Sequence, residues 1–160
     1  MAAKIKKIGI CDTMFARADM GGLAERTIAG YAPKGTKIER VTVPGIKDLP
    51  VAAKKLIEEK KCGIVVALGM VGGAEIDQVC AHEASQGLIF AQLLTNKHIL
   101  GVFVHETEAK NSQELCGIMR DRTIKHSKNA VDLLFYPEKL RANTGHGKRQ
   151  GHPDAKWFNL

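Results

Sequence analysis

A histidine followed directly by a glutamate, His105-Glu106, is the pair in this sequence best suited to transfer protons. The pair comes just after an apolar segment at residues 98–104, so we expect it in a turn that follows a strand. An exposed acid and base in such a turn could accept and return a proton during a reaction. An acidic turn that only begins a helix has the same composition, and the residues alone leave both interpretations open.

A second candidate is the carboxylate of Asp48, at the end of the segment Val43-Pro44-Gly45-Ile46-Lys47-Asp48. Pro44 and Gly45 predict a tight turn that leaves free backbone N–H groups facing a site. Asp48 then stands at a helix start, where a carboxylate commonly serves as the N-cap. Alternatively, it accepts hydrogen bonds from ligand hydroxyls while the helix N-terminus keeps it ionised.

An aromatic ring, Phe15, stands in the otherwise polar turn at residues 12–17. Such a ring either packs over the edge of a sheet or stacks on a flat ligand. The residues do not decide between these two roles.

A glycine-rich loop, Gly69-Met70-Val71-Gly72-Gly73, has the look of a phosphate-binding loop but matches neither GxxxxGK[ST] nor GxGxxG. Glu75 and Asp77 follow it and would repel an anion, so phosphate binding is not expected. His82 lies in the sequence CAHEA rather than HExxH, which favours a structural or interface histidine over a metal ligand.

These residues lie between strands and helices that alternate along the chain. The apolar patterns predict strands at residues 4–11, 37–43, 63–69 and 98–104, and helices at residues 20–31, 48–57, 76–94 and 112–134. Asp19 is the expected N-cap of the first helix, and Gly87 is expected to let another backbone come close to the third.

Alternation of strands and helices implies a parallel sheet with helices on both faces, a three-layer α/β/α sandwich with four strands. We expect a single domain over residues 1–160, with a C-terminal tail from about residue 136. Ligands of such sheets bind outside the carboxyl ends of the strands, where the strand order reverses. The predicted site is therefore built from the loops at residues 12–17, 43–48, 70–76 and 105–108.

Composition narrows the class of protein. At 160 residues and 17.4 kDa the chain supports one core, and no apolar run approaches the roughly 18 residues of a membrane span. The basic start has no apolar segment behind it, so we expect a cytoplasmic protein.

The net charge is +7, but the basic tail at residues 141–150 has no interleaved aromatic residues, so nucleic acid is not an expected partner. The four cysteines lack CxxC spacing and are expected to be reduced and mostly buried.

Five stretches resemble the archaeal type of riboflavin synthase: CDTMFARADM, VPGIKDLPVAAKKL, VVALGM, VCAHEASQGLIFAQLLTNKHILGVFVHETEA and the late RQG. The resemblance implies a flavodoxin-like, lumazine synthase-like subunit in a homopentamer, with sites at subunit interfaces that take two lumazines each. The implied reaction converts two 6,7-dimethyl-8-ribityllumazine molecules to riboflavin and 5-amino-6-ribitylaminopyrimidine-2,4-dione. No organic cofactor is required. The family admits Mg²⁺ as an aid, although the sequence shows no ligand cluster that would hold it firmly.

The related lumazine synthases are the nearest alternative. They carry a pattern like VIRGxTxH after the third strand, where arginine and histidine serve a phosphorylated substrate. This chain has MVGGAEID at residues 70–77 instead, which suits two uncharged lumazines better than a sugar phosphate. A protein that binds flavin or lumazine without converting it is a further alternative.

Carried over residue by residue, the resemblance implies a substrate-binding set. Phe15 stacks on the heterocycle, the turn at residues 43–45 offers backbone groups, Asp48 meets the ribityl hydroxyls and Met70 forms the floor. The full set is Thr13, Phe15, Ala16, Arg17, Val43, Pro44, Gly45, Asp48, Met70, Glu75 and Asp77. We hypothesise that His105 or Glu106 transfers the protons of the reaction and that Asp48 fixes the ribityl chains.

Overall fold

The most apolar segment of the chain forms a strand that is paired on both sides. In the computed structural model, which describes residues 6–159, β3 (Ile64–Val71) is buried along its whole length. It pairs in parallel with β1 (Lys7–Thr13) and β4 (Ile99–His105), and β1 pairs in parallel with β2 (Lys37–Val43). The order β2-β1-β3-β4 confirms the predicted four-stranded parallel sheet.

Helices cover both faces of this sheet. They are α1 (Met20–Tyr31), α2 (Leu49–Glu58), α3 (Glu75–Thr95), α4 (Ser112–Phe135) and α5 (Pro137–Ala142). The helices α1 and α4 pack together on one face, and α2 and α3 pack together on the other. This arrangement confirms the three-layer α/β/α architecture.

The end of β1 lies two residues beyond the predicted end at Cys11. Asp12 and Thr13 continue the ladder with β2, and the Asp12 carboxylate accepts hydrogen bonds from Arg40 Nη2 at 2.6 Å and Thr42 Oγ1 at 2.7 Å. Paired in this way, a carboxylate can remain in a buried strand. Residues 4 and 5 of the predicted strand lie outside the described residues.

Two further strand ends were predicted too early. β3 runs to Val71 rather than Gly69 because Met70 and Val71 pair with Val104 and His105 of β4. His105 is therefore the last residue of a strand, and a 3-10 turn, Glu106–Glu108, follows it. Another 3-10 turn, Ile46–Asp48, precedes α2.

One local prediction about the helices is confirmed, and a second differs in the kind of neighbour. The Asp19 carboxylate caps α1 by accepting a hydrogen bond from Gly22 N at 2.8 Å. At Gly87 the neighbour is a side chain rather than another backbone, because a Cβ atom there would lie 2.7 Å from Cγ of Pro50 at the start of α2. This contact packs the start of α2 against α3.

The tail contains more structure than the sequence predicted. The six-residue helix α5 is too short to show a periodic pattern. Beyond it the chain returns to α4, where Gly151 N donates to Asp121 Oδ2 at 2.7 Å and Lys125 Nζ donates to the Arg149 carbonyl at 3.2 Å. Trp157 and Phe158 in this tail are 61% and 87% exposed.

The cysteines are free thiols, two of them buried (Cys11 and Cys62), one half-buried (Cys80) and one exposed (Cys116).

Within residues 6–159, none of the helices has the length and hydropathy that crossing a membrane requires.

Candidate active site

A cavity of about 310 Å³ opens at the carboxyl ends of the first three strands. It lies where the strand order reverses between β1 and β3, the usual place for a ligand in an open parallel sheet. The wall is mostly apolar. Its residues are Phe15, Pro44, Gly45, Ile46, Lys47, Met70, Val71, Gly72, Asp77 and Cys80.

The aromatic wall of the cavity is Phe15, whose side chain is 57% exposed and therefore available to a ligand. The turn that carries Phe15 is fixed at its far end, where Arg17 N donates to the sulfur of Met70 at 3.4 Å. Met70 itself is 1% exposed and forms the floor. The structure thus places the predicted ring and the predicted floor in one cavity.

The turn before α2 forms the opposite wall, but its polar groups differ from the prediction. Gly45 N is not free, because it donates to Asp48 Oδ2 at 3.3 Å. The Asp48 carboxylate therefore bonds backwards to the 3-10 turn and makes no cap hydrogen bond to α2. Asp48 and Val43 lie outside the cavity lining.

An ion pair joins the same turn to α3. Lys47 Nζ lies 2.6 Å from Glu83 Oε2. This hydrogen bond raises the pKa of the Lys47 ammonium and lowers the pKa of the Glu83 carboxyl. Both side chains are at least half exposed, so the pair adds little to stability.

Asp77, the third residue of α3, contributes to the cavity lining, whereas Glu75 is exposed outside it. Asp77 Oδ2 accepts a hydrogen bond from Ala74 N at 3.1 Å and so closes the first turn of α3. A structural role therefore already engages one of its oxygens.

His105 lies at the end of β4, outside the cavity lining, and is held by two groups. Its Nδ1 lies 2.6 Å from Oε1 of Gln78 on α3, and its backbone N donates to Glu108 Oε1 at 2.9 Å. Gln78 was missed in the sequence because the contact joins residues that are 27 positions apart.

Glu106 is engaged with the first loop rather than with the cavity. Its carboxylate accepts a hydrogen bond from Arg17 Nη1 at 2.9 Å, so the β1 loop and the turn after β4 meet above the end of β3. Thr13, Ala16 and Arg17 line a separate shallow depression beside Arg40. The Thr13 hydroxyl is buried and has no hydrogen-bond partner within the described residues.

A second ion pair supports the turn after β4. Arg122 of α4 donates to both Glu108 oxygens, at 2.7 and 2.6 Å, and to the Phe103 carbonyl at 2.8 Å. These bonds from Arg122, more than the backbone bond from His105, lower the pKa of Glu108 to about 2. Nε2 of His152 lies 3.3 Å from Glu108 Oε2, which brings the tail to the same pair.

The residues present do not fit a resident metal ion. Across residues 6–159, no group of three or more histidine, cysteine or carboxylate side chains is placed to hold one. Mg²⁺ ordinarily binds through oxygen ligands, often carboxylates together with substrate phosphates.

The cavity, its strand-end position and the loops around it can be set beside known proteins. Residues 6–137 match the model of the 6,7-dimethyl-8-ribityllumazine synthase family. The chain belongs to this family. The match covers all four strands and ends at the start of α5, so the family domain contains every loop of the candidate site.

Within the lumazine synthase family, this chain is similar to proteins with two different names. It is 57% identical to riboflavin synthase of Methanothermobacter marburgensis, over 93% of this chain and 97% of that protein. Riboflavin synthase of Archaeoglobus fulgidus is 48% identical over 93% and 96% of the two chains. The 6,7-dimethyl-8-ribityllumazine synthase of Thermococcus onnurineus is 31% identical over 64% of this chain and 71% of its own.

Proposed function

We propose that this protein is a riboflavin synthase that converts two molecules of 6,7-dimethyl-8-ribityllumazine to riboflavin and 5-amino-6-ribitylaminopyrimidine-2,4-dione. The observation that carries the proposal is the cavity between Phe15 and the Pro44–Gly45 turn, above Met70. Its apolar walls suit a flat heterocycle. The relatives named riboflavin synthase also match 93% of this chain, at higher identity than the relative named lumazine synthase.

The charge of the cavity lining, as the described residues form it, supports riboflavin synthase over lumazine synthase. A sugar phosphate needs positive groups, yet the first turn of α3 supplies Asp77 to the cavity and Glu75 beside it. Lys47 is the cationic group of the lining, and it is paired with Glu83. Two uncharged lumazines do not need further positive groups in the cavity.

The reaction requires a proton to leave the C7 methyl group of one lumazine, and the resulting anion is delocalised into the ring. The main task of the protein is therefore to hold two lumazines face to face, an effect that can offset several kcal/mol of the barrier. His105 and Glu106 are proposed to transfer the protons, and Asp48 to bind ribityl hydroxyls. No organic cofactor is needed for this chemistry, and no step requires Mg²⁺.

A second copy of the chain is proposed to complete each site. One cavity of about 310 Å³ is at the lower end of the range for small-molecule sites, and the reaction needs two lumazines. α3 also exposes large apolar side chains, among them Phe90, Leu93 and Leu94, at 62 to 74%. Such a patch is typical of a protein interface. We propose a homopentamer that works in the cytoplasm, with sites between subunits.

The decisive experiment is to incubate the protein with 6,7-dimethyl-8-ribityllumazine alone. Riboflavin, followed by its yellow-green fluorescence, and the pyrimidinedione are expected in equal amounts. Binding without the pyrimidinedione would indicate a flavin- or lumazine-binding protein. Lumazine formed from 3,4-dihydroxybutanone phosphate and the pyrimidine would indicate a lumazine synthase.

The proposed proton transfer has its own test. Replacing both His105 and Glu106 by Ala is expected to slow turnover by roughly 10²-fold or more. Unchanged turnover would remove these two residues from the mechanism while leaving the overall reaction intact.

A further inference from the structure

Gln78 bridges two segments of the candidate site with its side-chain amide. Its Nε2 donates to the Gly72 carbonyl at 3.0 Å, and its Oε1 lies 2.6 Å from Nδ1 of His105. Gln78 is half-buried in the first turns of α3. One amide thus connects the loop after β3 with the end of β4.

The amide can face in only one direction. A backbone carbonyl only accepts hydrogen bonds, so the group that faces Gly72 must be the NH₂ end of Gln78. The oxygen of the amide therefore faces His105. Because that oxygen also only accepts, Nδ1 of His105 must carry a hydrogen.

We propose that Gln78 is a positioning residue that holds neutral His105 in the tautomer with its proton on Nδ1, leaving the lone pair of Nε2 free to accept a proton. This inference rests on the proposed function, in which His105 transfers the C7 methyl proton. That proton would move to Nε2, the methyl carbon attached to C7 would keep the electron pair of the broken C–H bond, and Gln78 would continue to accept from Nδ1–H of the imidazolium.

The surrounding charges are already engaged, which leaves Gln78 to determine the tautomer. Glu108 binds the backbone N of His105 rather than its ring and is paired with Arg122. Glu106 is paired with Arg17. Among residues 6–159, Gln78 is the hydrogen-bond partner of the His105 ring, and no second partner occupies Nε2.

The first test observes the tautomer directly and does not depend on turnover. In protein labelled with ¹⁵N-histidine, with the His105 signals assigned through His105→Asn, the ring nitrogen shifts report which atom is protonated. At alkaline pH, where the ring is neutral, Nδ1 of the wild type is expected to be protonated and Nε2 unprotonated. In Gln78→Met this preference is expected to disappear. A wild-type ring protonated on Nε2 would overturn the proposal, even if lumazine is not the substrate.

The second test measures the pH dependence of lumazine turnover. Gln78→Met is expected to lower kcat about tenfold or more with little change in KM. Gln78→Glu retains an acceptor for Nδ1–H and should restore much of kcat. The negative charge of the introduced carboxylate favours the imidazolium, so the acidic limb of the rate profile should shift to higher pH by roughly one unit.

A matched control lies on the same helix. Nε2 of Gln86, an exposed residue eight positions beyond Gln78 on α3, lies 3.4 Å from Nε2 of His82, and Gln86→Met should keep the wild-type profile. If wild-type enzyme converts lumazine but the Gln78 variants reproduce its kcat and pH profile, Gln78 has no positioning role. If no variant, including wild type, converts lumazine, the proposed function fails and the NMR result alone decides the inference.

Discussion

Replacing Glu108 by Gln is expected to destabilise the fold measurably, because this carboxylate accepts hydrogen bonds from Nη1 and Nη2 of Arg122. The side chains of Arg122 and Glu108 are only 12% and 22% exposed, so solvent screens the pair incompletely. A pKa that falls from 4.5 to about 2 corresponds to roughly 3 kcal/mol at 1.36 kcal/mol for each unit. With allowance for the remaining exposure, we expect a loss of about 1.5 to 2 kcal/mol at pH 7.

The pH dependence of this loss follows from the direction of the pKa change. Glu108 is ionised more readily in the folded chain than in the unfolded chain, so its stabilisation is complete above about pH 4.5. It is lost as the pH falls through the folded value of about 2. The difference in unfolding free energy between wild type and Glu108→Gln should therefore be largest at neutral pH and shrink below pH 4.5.

Urea unfolding at a fixed protein concentration, repeated between pH 2.5 and 7, measures this difference. Glu106→Gln is the matched control, since Glu106 lies in the same turn but binds an arginine that is 57% exposed. Its loss should stay below about 1 kcal/mol. A Glu108→Gln difference that is equally small, or that does not change with pH, would refute the reasoning.

Two further substitutions test the cavity and the packing behind it. Phe15→Leu should raise KM for lumazine about 5- to 20-fold, since stacking contributes roughly 1 to 2 kcal/mol. Phe15→Trp keeps an aromatic ring, so its KM should stay within about 3-fold of the wild-type value. Equal KM values for both variants would mean that the ring only covers the sheet edge. Gly87→Ala places a methyl group 2.7 Å from the Pro50 ring and should lower the unfolding free energy by about 1 kcal/mol despite the better helix propensity of Ala. Gly117→Ala on α4, where nothing lies within 4 Å, should be neutral or stabilising, and equal effects at the two glycines would contradict the packing argument.

Local patterns predicted most of the fold. The uninterrupted apolar run of β3 indicates a central parallel strand, and the carboxylate of Asp19 marks the start of α1 because both signals are contained in a few neighbouring residues. The ends of β1 and β3 were predicted too early since partners distant in sequence, Arg40 and His105, keep those residues in the sheet. Strand ends depend on such contacts, and composition does not report them.

In the candidate site, too, some features follow from local sequence and others depend on contacts between distant residues. Phe15 and Met70 could be placed in one cavity from their loops alone, since parallel strands end at the same edge of the sheet. The roles of Gln78 and Arg122 depend on side-chain contacts across 27 and 14 positions. Nothing in a single sequence distinguishes these two residues from other polar residues on a helix surface.

The first turns of α3 contribute both to the apolar cavity and to the polar contact with His105. Asp77 lines the cavity, and its successor Gln78 binds His105, which lies outside that lining. Successive residues of a helix point about 100° apart, so one rotational setting of α3 places both side chains. The contact of Gly87 with Pro50 helps to fix that setting. A shift of α3 should therefore disturb the cavity and the His105 contact together, which makes the packing of this helix part of the catalytic geometry under the proposed function.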